Sequence, residues 1–198
     1  MNTTNDQHPD SPIDQPVLRT ERMILRAFTL DDASAITELL MDKEIAANTQ
    51  LIPFPYTLEM ATEWIEPQAK TWQEGRATVF AVCLAAPSER GTVIGVIGLE
   101  IDSVHERAEL GYWIGKAYWG KGYCTEAATA VIEFGFEQLG LNRVFAYHML
   151  RNPASGRVME KLGMMPEGEL KQHTKKWGVF EDVALFGILR RSTNVRRG

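Results

Sequence analysis

Three glycines between a predicted strand and a predicted helix mark the segment whose residue types and spacing best fit a chemical role. The strand covers residues 109–114, the glycines are Gly115, Gly120 and Gly122, and the helix begins near Cys124. Glycine lets the main chain turn with its N–H groups pointing outward, and the helix N-terminus adds about half a positive charge. The segment therefore predicts a binding site for an anion, and a phosphate group is the expected ligand.

The spacing of these glycines matches neither of two common phosphate-binding loops. Gly122 is followed by Tyr123, Cys124 and Thr125, so this segment contains neither Gly-x-x-x-x-Gly-Lys-Ser/Thr nor Gly-x-Gly-x-x-Gly. A nucleotide P-loop and a dinucleotide-binding fingerprint are both disfavoured. A Gly-x-Gly turn alone is a weak indication, because glycines in a strand-to-helix connection often serve only the turn.

A second predicted strand and helix follow, over residues 142–149 and 151–164. With both units considered together, the sequence resembles the GNAT superfamily of acetyl-CoA-dependent N-acetyltransferases. Trp119-Gly120-Lys121-Gly122-Tyr123 is similar to the pyrophosphate loop of that family, and Asn152-x-x-Ser155 through Lys161-Leu162-Gly163 is similar to its second cofactor helix. The resemblance covers about residues 17–190 and is greatest to the RimJ/RimL branch, which acetylates N-terminal amines of ribosomal proteins.

The resemblance implies acetyl-CoA as the cofactor and places its pyrophosphate on the main-chain N–H groups of residues 117–123. The pantetheine arm is expected in a gap between the strands at 108–115 and 143–150, where one main-chain N–H can polarise the thioester carbonyl. Gly111 and Gly115 share a strand face and leave room for such an arm. The residues predicted to bind the cofactor are Trp113, Ile114, Trp119, Gly120, Lys121, Gly122, Tyr123, Cys124, Thr125, Asn152, Ser155 and Lys161.

Three residues are predicted to be catalytic. An amine must be neutral to attack a thioester, so a carboxylate is expected to accept its proton. Glu109 points from the predicted central strand toward the reaction centre, and the resemblance implies Glu167, which matches a glutamate of RimJ/RimL-type sequences. The resemblance implies that the Ser155 hydroxyl hydrogen-bonds the departing sulfur. Many members of the family carry a tyrosine seven residues after the position of Asn152, where this chain has Met159, which cannot donate a proton.

Other residues near the predicted site have competing interpretations. Cys124 suggests an acyl-enzyme route, but relatives use direct transfer, which is the predicted route. His148 and His173 are alternative bases, and a structural strand histidine is the preferred interpretation of His148. Asn152 is expected to cap its helix or to touch the pantetheine amide. Ala117 stands where many members carry glutamine or arginine, a change that leaves main-chain contacts to phosphate intact.

The acceptor is predicted to be a primary amine, with a protein N-terminus as the first choice. Phe54, Tyr56 and Trp64 are candidate walls of the acceptor pocket, and each is also suited to core packing. A small amine such as an antibiotic, polyamine or amino acid is the alternative acceptor. A non-catalytic acyl-CoA-binding module is a competing class, and a nucleotide-binding protein ranks well behind it.

The elements that must position these residues predict an α/β fold with a mixed, mainly antiparallel sheet of about six or seven strands. Helices are expected on both faces, with one splayed strand pair for the cofactor. The further predicted segments are a strand at 20–28, a helix from 31, a helix from Thr57 to before Gly75, a hairpin at 78–101 and an antiparallel pair at 168–173 and 180–189.

Length and composition predict a single cytosolic domain. The chain has 198 residues, 44% of them hydrophobic and 24% charged, which is ordinary for a globular protein. Residues 1–16 are predicted to be a disordered leader, 17–190 the domain and 191–198 a basic tail. The net charge of −5 argues against general nucleic-acid binding, and no segment approaches the roughly 20 apolar residues of a membrane span.

The cysteine content is low. Two cysteines, Cys83 and Cys124, predict neither a disulfide framework nor a four-ligand metal site, and no other spacing of ligand residues predicts a bound metal. A homodimer is compatible with the sequence but does not follow from it.

Overall fold

The computed structural model describes residues 14–85 and 90–190. Most of the predicted leader, the tip of the first long hairpin and the predicted basic tail lie outside these ranges. The strands are β1 (Leu18–Arg19), β2 (Met23–Arg26), β3 (Ala77–Leu84), β4 (Thr92–Asp102), β5 (Arg107–Ile114), β6 (Arg143–Met149), β7 (Met165–Lys176) and β8 (Val179–Leu189). The helices are α1 (Ala33–Leu40), α2 (Lys43–Ala47), α3 (Leu58–Ile65), α4 (Gln68–Gln73), α5 (Tyr123–Glu137) and α6 (Pro153–Lys161), with short 3-10 turns at Leu30–Asp32 and Lys116–Tyr118.

The eight strands form a sheet in the order β1-β2-β3-β4-β5-β6-β8-β7. Neighbouring strands are antiparallel except β5 and β6, which are parallel because the connection through α5 returns the chain to the same end of the sheet. The predicted α/β class and mainly antiparallel sheet are confirmed, and the strand count exceeds the prediction. The additional strand is β1, which pairs with β2 around a turn where the Thr20 N–H donates to the Met23 carbonyl at 3.0 Å.

The sheet separates two hydrophobic cores. α5 and α6 pack on one face, where Ala128, Val131 and Met159 join strand residues such as Leu110. α1, α2 and α3 pack on the other face, over β2, β3, β4 and the end of β5. Within the described part of the chain, this second core contains no residue of β6, β7 or β8. That face of the last three strands therefore stays outside the helical layer.

The helix predicted between Thr57 and Gly75 is two helices, α3 and α4. Thr57 caps α3 as predicted, because its hydroxyl accepts the Met60 N–H at 3.2 Å. Pro67 separates the two helices, since proline has no N–H and its ring clashes with the preceding helical turn. The chain also forms α2, a helix of five residues that the sequence did not predict. Among the described helices, none is long and apolar enough to cross a membrane.

Candidate active site

The turn from Gly115 to Gly122 connects β5 directly to α5. Gly120 and Gly122 have φ angles of 73° and 81°, in the left-handed region that glycine adopts without strain. Gly122 is the N-cap residue of α5, and no side chain caps the first turn of that helix. Among the described residues, the N–H groups at this helix start therefore have no side-chain cap, which leaves them available to an anion.

Two side chains predicted to bind the cofactor also hold the turn itself. The Trp119 Nε1–H donates to the Ile114 carbonyl at 2.6 Å, which ties the turn to the end of β5. The Lys121 ammonium donates to the Ala117 carbonyl at 3.0 Å and lies 5.6 Å from the centroid of the Tyr118 ring. Lys121 is exposed, so its charge lies at the surface of the turn.

Arg22 clamps the same turn from the start of β2. Its Nε donates to the Glu126 carboxylate at 2.7 Å and its Nη1 donates to the Lys121 carbonyl at 3.0 Å. The guanidinium also lies 4.5 Å from the centroid of the Tyr123 ring. No local sequence pattern points to Arg22, because 104 residues separate it from Glu126. This contact fastens the glycine turn to both β2 and α5.

β5 and β6 separate soon after they begin to pair. Residues 107–109 of β5 pair with residues 143–145 of β6, and the described strands make no further pair beyond Glu109 and Phe145. The predicted splayed pair is therefore present, and Glu109 lies at its fork. The gap opens between the remaining residues of the two strands, toward the end of β5 that leads into the glycine turn.

Main-chain groups of β5 point into this gap. Neighbouring residues of a strand direct their N–H and C=O groups to opposite sides. The Gly115 N–H donates to the Ile94 carbonyl of β4, so Tyr112 and Ile114 direct theirs away from β4 and toward the gap. The Ile114 carbonyl is occupied by Trp119, and the two N–H groups face the opening.

A tyrosine that the sequence analysis did not select lies on the α5 and α6 side of the gap. The Tyr112 hydroxyl is 2.9 Å from the Ser155 Oγ and 3.2 Å from the Ser155 carbonyl oxygen. Burial raises the pKa of Tyr112, so the hydroxyl keeps its proton at neutral pH. The alternation of β5 places Tyr112 toward the helices, but its contact with Ser155 depends on how α6 packs.

The Cys124 thiol lies at the start of α5. Burial raises the pKa of Cys124 to about 12, so almost none of it is thiolate at neutral pH. Because the thiolate is the nucleophilic form, a protonated thiol reacts slowly with a thioester. The structure therefore favours the predicted direct transfer over an acyl-enzyme on Cys124.

The two candidate bases have opposite electrostatic environments. Burial and the nearby Glu100 carboxylate raise the pKa of Glu109 above its usual value. Glu167 accepts two hydrogen bonds from the Arg143 guanidinium, and this contact holds the pKa of Glu167 below its usual value. A general base works best when its pKa lies near the operating pH, so the raised pKa favours Glu109.

The residues predicted to line the acceptor pocket divide between core and surface. Trp64 packs edge-on against Phe28, with 5.2 Å between the ring centroids, and belongs to the second core. Tyr56 is half-buried against the same core, and burial raises its pKa. Phe54 is 38% exposed, so of the three it is the one whose ring is most open to a ligand.

The Lys43 side chain lies between the rings of Phe54 and Trp177. The Lys43 ammonium lies 6.0 Å from the Phe54 ring centroid and 5.2 Å from that of Trp177, at the tip of the hairpin formed by β7 and β8. Lys176 fixes this tip, because its ammonium donates to the Ile52 carbonyl at 2.6 Å. Local sequence patterns gave no indication of this contact, since it joins segments more than 120 residues apart.

α6 positions the rest of the predicted second cofactor segment. Asn152 is the N-cap residue, yet its side chain makes no capping hydrogen bond, so the predicted cap is not formed by that side chain. Met159 is 1% exposed and fills the core.

His148 packs against Gly156, where an added Cβ would lie 2.8 Å from the His148 Nε2. The His148 Nδ1 is 2.9 Å from the Met149 carbonyl oxygen. These contacts agree with a structural role for His148.

The remaining predicted residues lie around the same turn and helix ends. Trp113 packs against the second core, on the face of β5 opposite to α5. Thr125 lies in the first turn of α5, and Lys161 is exposed in the last turn of α6. His173 stacks near Tyr147, with 5.3 Å between the ring centroids. The described residues contain no cluster of His, Cys, Asp and Glu that could hold a metal ion.

Known proteins are similar to this chain in sequence and in fold. The acetyltransferase (GNAT) domain family matches residues 22–165. The uncharacterized N-acetyltransferase p20 of Bacillus licheniformis is 34% identical over 88% of this chain and 96% of its own length. The putative ribosomal N-acetyltransferase YdaF of Bacillus subtilis is 29% identical over 86% of this chain and 93% of its own. RimL, a ribosomal alpha-N-protein acetyltransferase solved in complex with coenzyme A, shares the fold with a TM-score of 0.80 at 17% identity, over 88% of this chain and 98% of its own.

The chain belongs to the GNAT family of acetyltransferases. The family match extends over well more than half of the chain and includes β5, the glycine turn, α5, β6 and α6. It confirms the predicted family, the predicted fold and the predicted class of enzyme, an N-acetyltransferase.

Proposed function

We propose that this chain transfers an acetyl group directly from acetyl-CoA to a primary amine, and that the amine is the N-terminal α-amine of a protein. The observation that carries this proposal is the separation of β5 from β6 beside a helix start that no side chain caps. A thioester attached to a diphosphate needs both features, because the phosphates require donors and the acyl arm requires an opening.

The residues of the turn and the gap fit acetyl-CoA. The N–H groups of residues 117 and 120–123 would hold the pyrophosphate, since those of Tyr118 and Trp119 donate within the turn to the Gly115 and Lys116 carbonyls. A Cβ added at Gly120 would meet no atom of the described residues within 4 Å apart from its chain neighbours, so the turn is open there. Gly111, on β5 beside the gap, is equally open, which leaves room for the pantetheine arm. When bound, acetyl-CoA supplies the acetyl group as a reactive thioester.

The side chains and main chain of this protein then have separate tasks. Glu109 accepts the proton of the attacking amine, directly or through a water molecule. The N–H of Tyr112 or Ile114 polarises the thioester carbonyl, and one such donor is typically worth about 10² to 10³ in rate. Ser155 donates a hydrogen bond to the departing sulfur. Glu167 remains paired with Arg143 and ties β7 to β6.

The open sheet face supports a polypeptide acceptor. Next to Glu109, the rings of Phe145, Tyr147 and His173 form a row with centroid separations of 5.7 and 5.3 Å. Within the described residues, this face of β6–β8 lies outside the helical layer. Trp177, in the turn between β7 and β8, is half exposed. An extended peptide can lie on such a face while its terminal amine enters the gap. One relative, YdaF, is itself named a putative ribosomal N-acetyltransferase.

Free thiol release with a panel of amines tests the proposal. We expect peptides with a free N-terminus to release coenzyme A, and the same peptides with an N-terminal acetyl block and an internal lysine to release little. Mass spectrometry of the product should place the acetyl group on the α-nitrogen. Turnover with polyamines or antibiotics but with no peptide would overturn the choice of acceptor. Coenzyme A binding without turnover of any amine would indicate a non-catalytic acyl-CoA-binding protein.

Replacement of Arg22 by alanine is expected to weaken coenzyme A binding. The substitution removes the hydrogen bonds from Arg22 to Glu126 and to the Lys121 carbonyl, so the glycine turn must be ordered when the ligand binds. Exposed ion pairs contribute little free energy, so the dissociation constant should rise by no more than about fivefold. Titration calorimetry with coenzyme A measures this dissociation constant.

Arg76→Ala is the matched control. Arg76 is another exposed arginine paired with a glutamate, Glu74, in the loop before β3. Its loss should leave the affinity for coenzyme A unchanged. If Arg22→Ala and Arg76→Ala bind coenzyme A equally well, the contacts of Arg22 have no role in holding the glycine turn for coenzyme A.

A further inference from the structure

The hydroxyl pair of Tyr112 and Ser155 joins the two sides of the gap. Tyr112 belongs to β5, and Ser155 belongs to the first turn of α6, which directly follows β6. Their oxygens are 2.9 Å apart, and the Ser155 N–H donates to the Asn152 carbonyl at 3.2 Å, which fixes the serine in that turn. The pair therefore lies beside the space into which the thioester would extend.

The proton count of this pair permits two arrangements. Each hydroxyl has one proton to donate. If Tyr112 donates to the Ser155 carbonyl, the short contact between the hydroxyls uses the serine proton, and Ser155 has none for a ligand. If Tyr112 instead donates to the Ser155 Oγ, the serine proton is free to point at a sulfur atom. A sulfur that gains negative charge favours the second arrangement.

We propose that Tyr112 is a positioning residue that turns the Ser155 hydroxyl toward the departing sulfur as negative charge develops on it. This inference rests on the proposed function, because it assigns no separate reaction. Tyr112 keeps its own proton throughout: burial disfavours its phenolate form, so it acts as a hydrogen-bond donor and not as an acid. The stabilisation reaches the sulfur only through Ser155.

Tyr112→Phe tests this role with little change in packing. The phenylalanine keeps the ring in the first core and removes only the hydroxyl. We expect kcat for thiol release to fall by about three- to tenfold, and Ser155→Ala to lower it by about 10- to 100-fold, since a hydrogen bond to a charged group is the stronger one. The KM for acetyl-CoA and the affinity for coenzyme A should stay within about twofold of wild type, because neither hydroxyl is needed to hold the phosphates.

The double variant separates positioning from packing. If Tyr112 acts through Ser155, then Tyr112→Phe combined with Ser155→Ala should be no slower than Ser155→Ala alone. If the tyrosine were purely structural, Tyr112→Phe would instead lower the melting temperature. It would then slow the reaction by the same factor whether residue 155 is serine or alanine. Thr71→Val is the control for loss of a hydroxyl, because the Thr71 hydroxyl donates to the carbonyl of Pro67, the N-cap residue of α4.

Each outcome has a separate meaning. Wild-type kcat in Tyr112→Phe, or effects that multiply in the double variant, would overturn the positioning role and leave the acetyltransferase proposal in place. Absence of turnover in the wild-type enzyme with every amine would instead overturn the proposed function on which the inference rests.

Discussion

Replacement of Glu109 by glutamine is expected to lower kcat by about 10² to 10⁴, the usual contribution of a well-placed general base. Glutamine keeps the size of the side chain at the fork of β5 and β6 and removes its ability to accept a proton. The measurement is thiol release at saturating acetyl-CoA and peptide. Glu167→Gln should have a much smaller effect, because the Arg143 contact already holds the pKa of Glu167 low.

The pH profile provides an independent test of the same assignment. The raised pKa of Glu109 predicts that activity falls with decreasing pH through a value above about 4.3, the ordinary pKa of glutamate. Glu100 is the cross-strand neighbour of Glu109, and its charge contributes to that rise. Glu100→Gln should therefore move the acidic limb to lower pH while the plateau rate is largely retained. If Glu167→Gln abolishes the acidic limb and Glu109→Gln keeps it, the base is Glu167.

Stability measurements show whether the loss of rate has another cause. The pKa of Glu109 is higher in the folded chain than in the unfolded chain, so the folded state binds this proton more tightly. The ionised carboxylate therefore lowers stability at pH values above the folded pKa. Glutamine carries no charge, so Glu109→Gln should melt at pH 7 no lower than wild type. A lower melting temperature would instead assign part of the effect to folding.

Gly122→Pro is expected to weaken coenzyme A binding by at least about 100-fold, because it removes the geometry that directs several N–H donors at the phosphates. Gly122 has a φ of 81°, whereas proline fixes φ near −65°, so the turn must take another path. Even Gly122→Ala should bind less tightly. Its Cβ would lie 3.4 Å from Arg22 Nη2, and the left-handed conformation disfavours alanine.

Gly140→Pro is the matched control at the other end of α5. Gly140 has a φ of 69°, and an added Cβ there would meet no atom within 4 Å. Both proline variants disturb a left-handed glycine beside the same helix, so both should lower the melting temperature. Only Gly122→Pro should lose coenzyme A, measured by titration calorimetry. If Gly122→Pro binds coenzyme A with wild-type affinity, the glycine turn does not hold the phosphates as proposed.

The sequence alone predicted the glycine turn that we propose as the phosphate site, because the determinants of that turn are local. A strand, two glycines that adopt positive φ and a helix start follow one another between residues 109 and 125, and each of these preferences depends on near neighbours. The same reasoning gave the capping by Thr57, the first long hairpin and the mainly antiparallel sheet. It missed β1 and α2, and it treated the two helices on either side of Pro67 as one.

The tertiary structure alone decided which side chains meet. Tyr112 and Ser155 are 43 residues apart, and Arg22 and Glu126 are 104 apart, so no periodic pattern within one element relates them. Strand register and helix packing bring each pair together. The choice between Glu109 and Glu167 also required the fold, because a pKa depends on burial and on the nearest charge. Local preferences thus predicted the turn proposed to bind a phosphate, and three-dimensional contacts decided which side chains lie beside the gap.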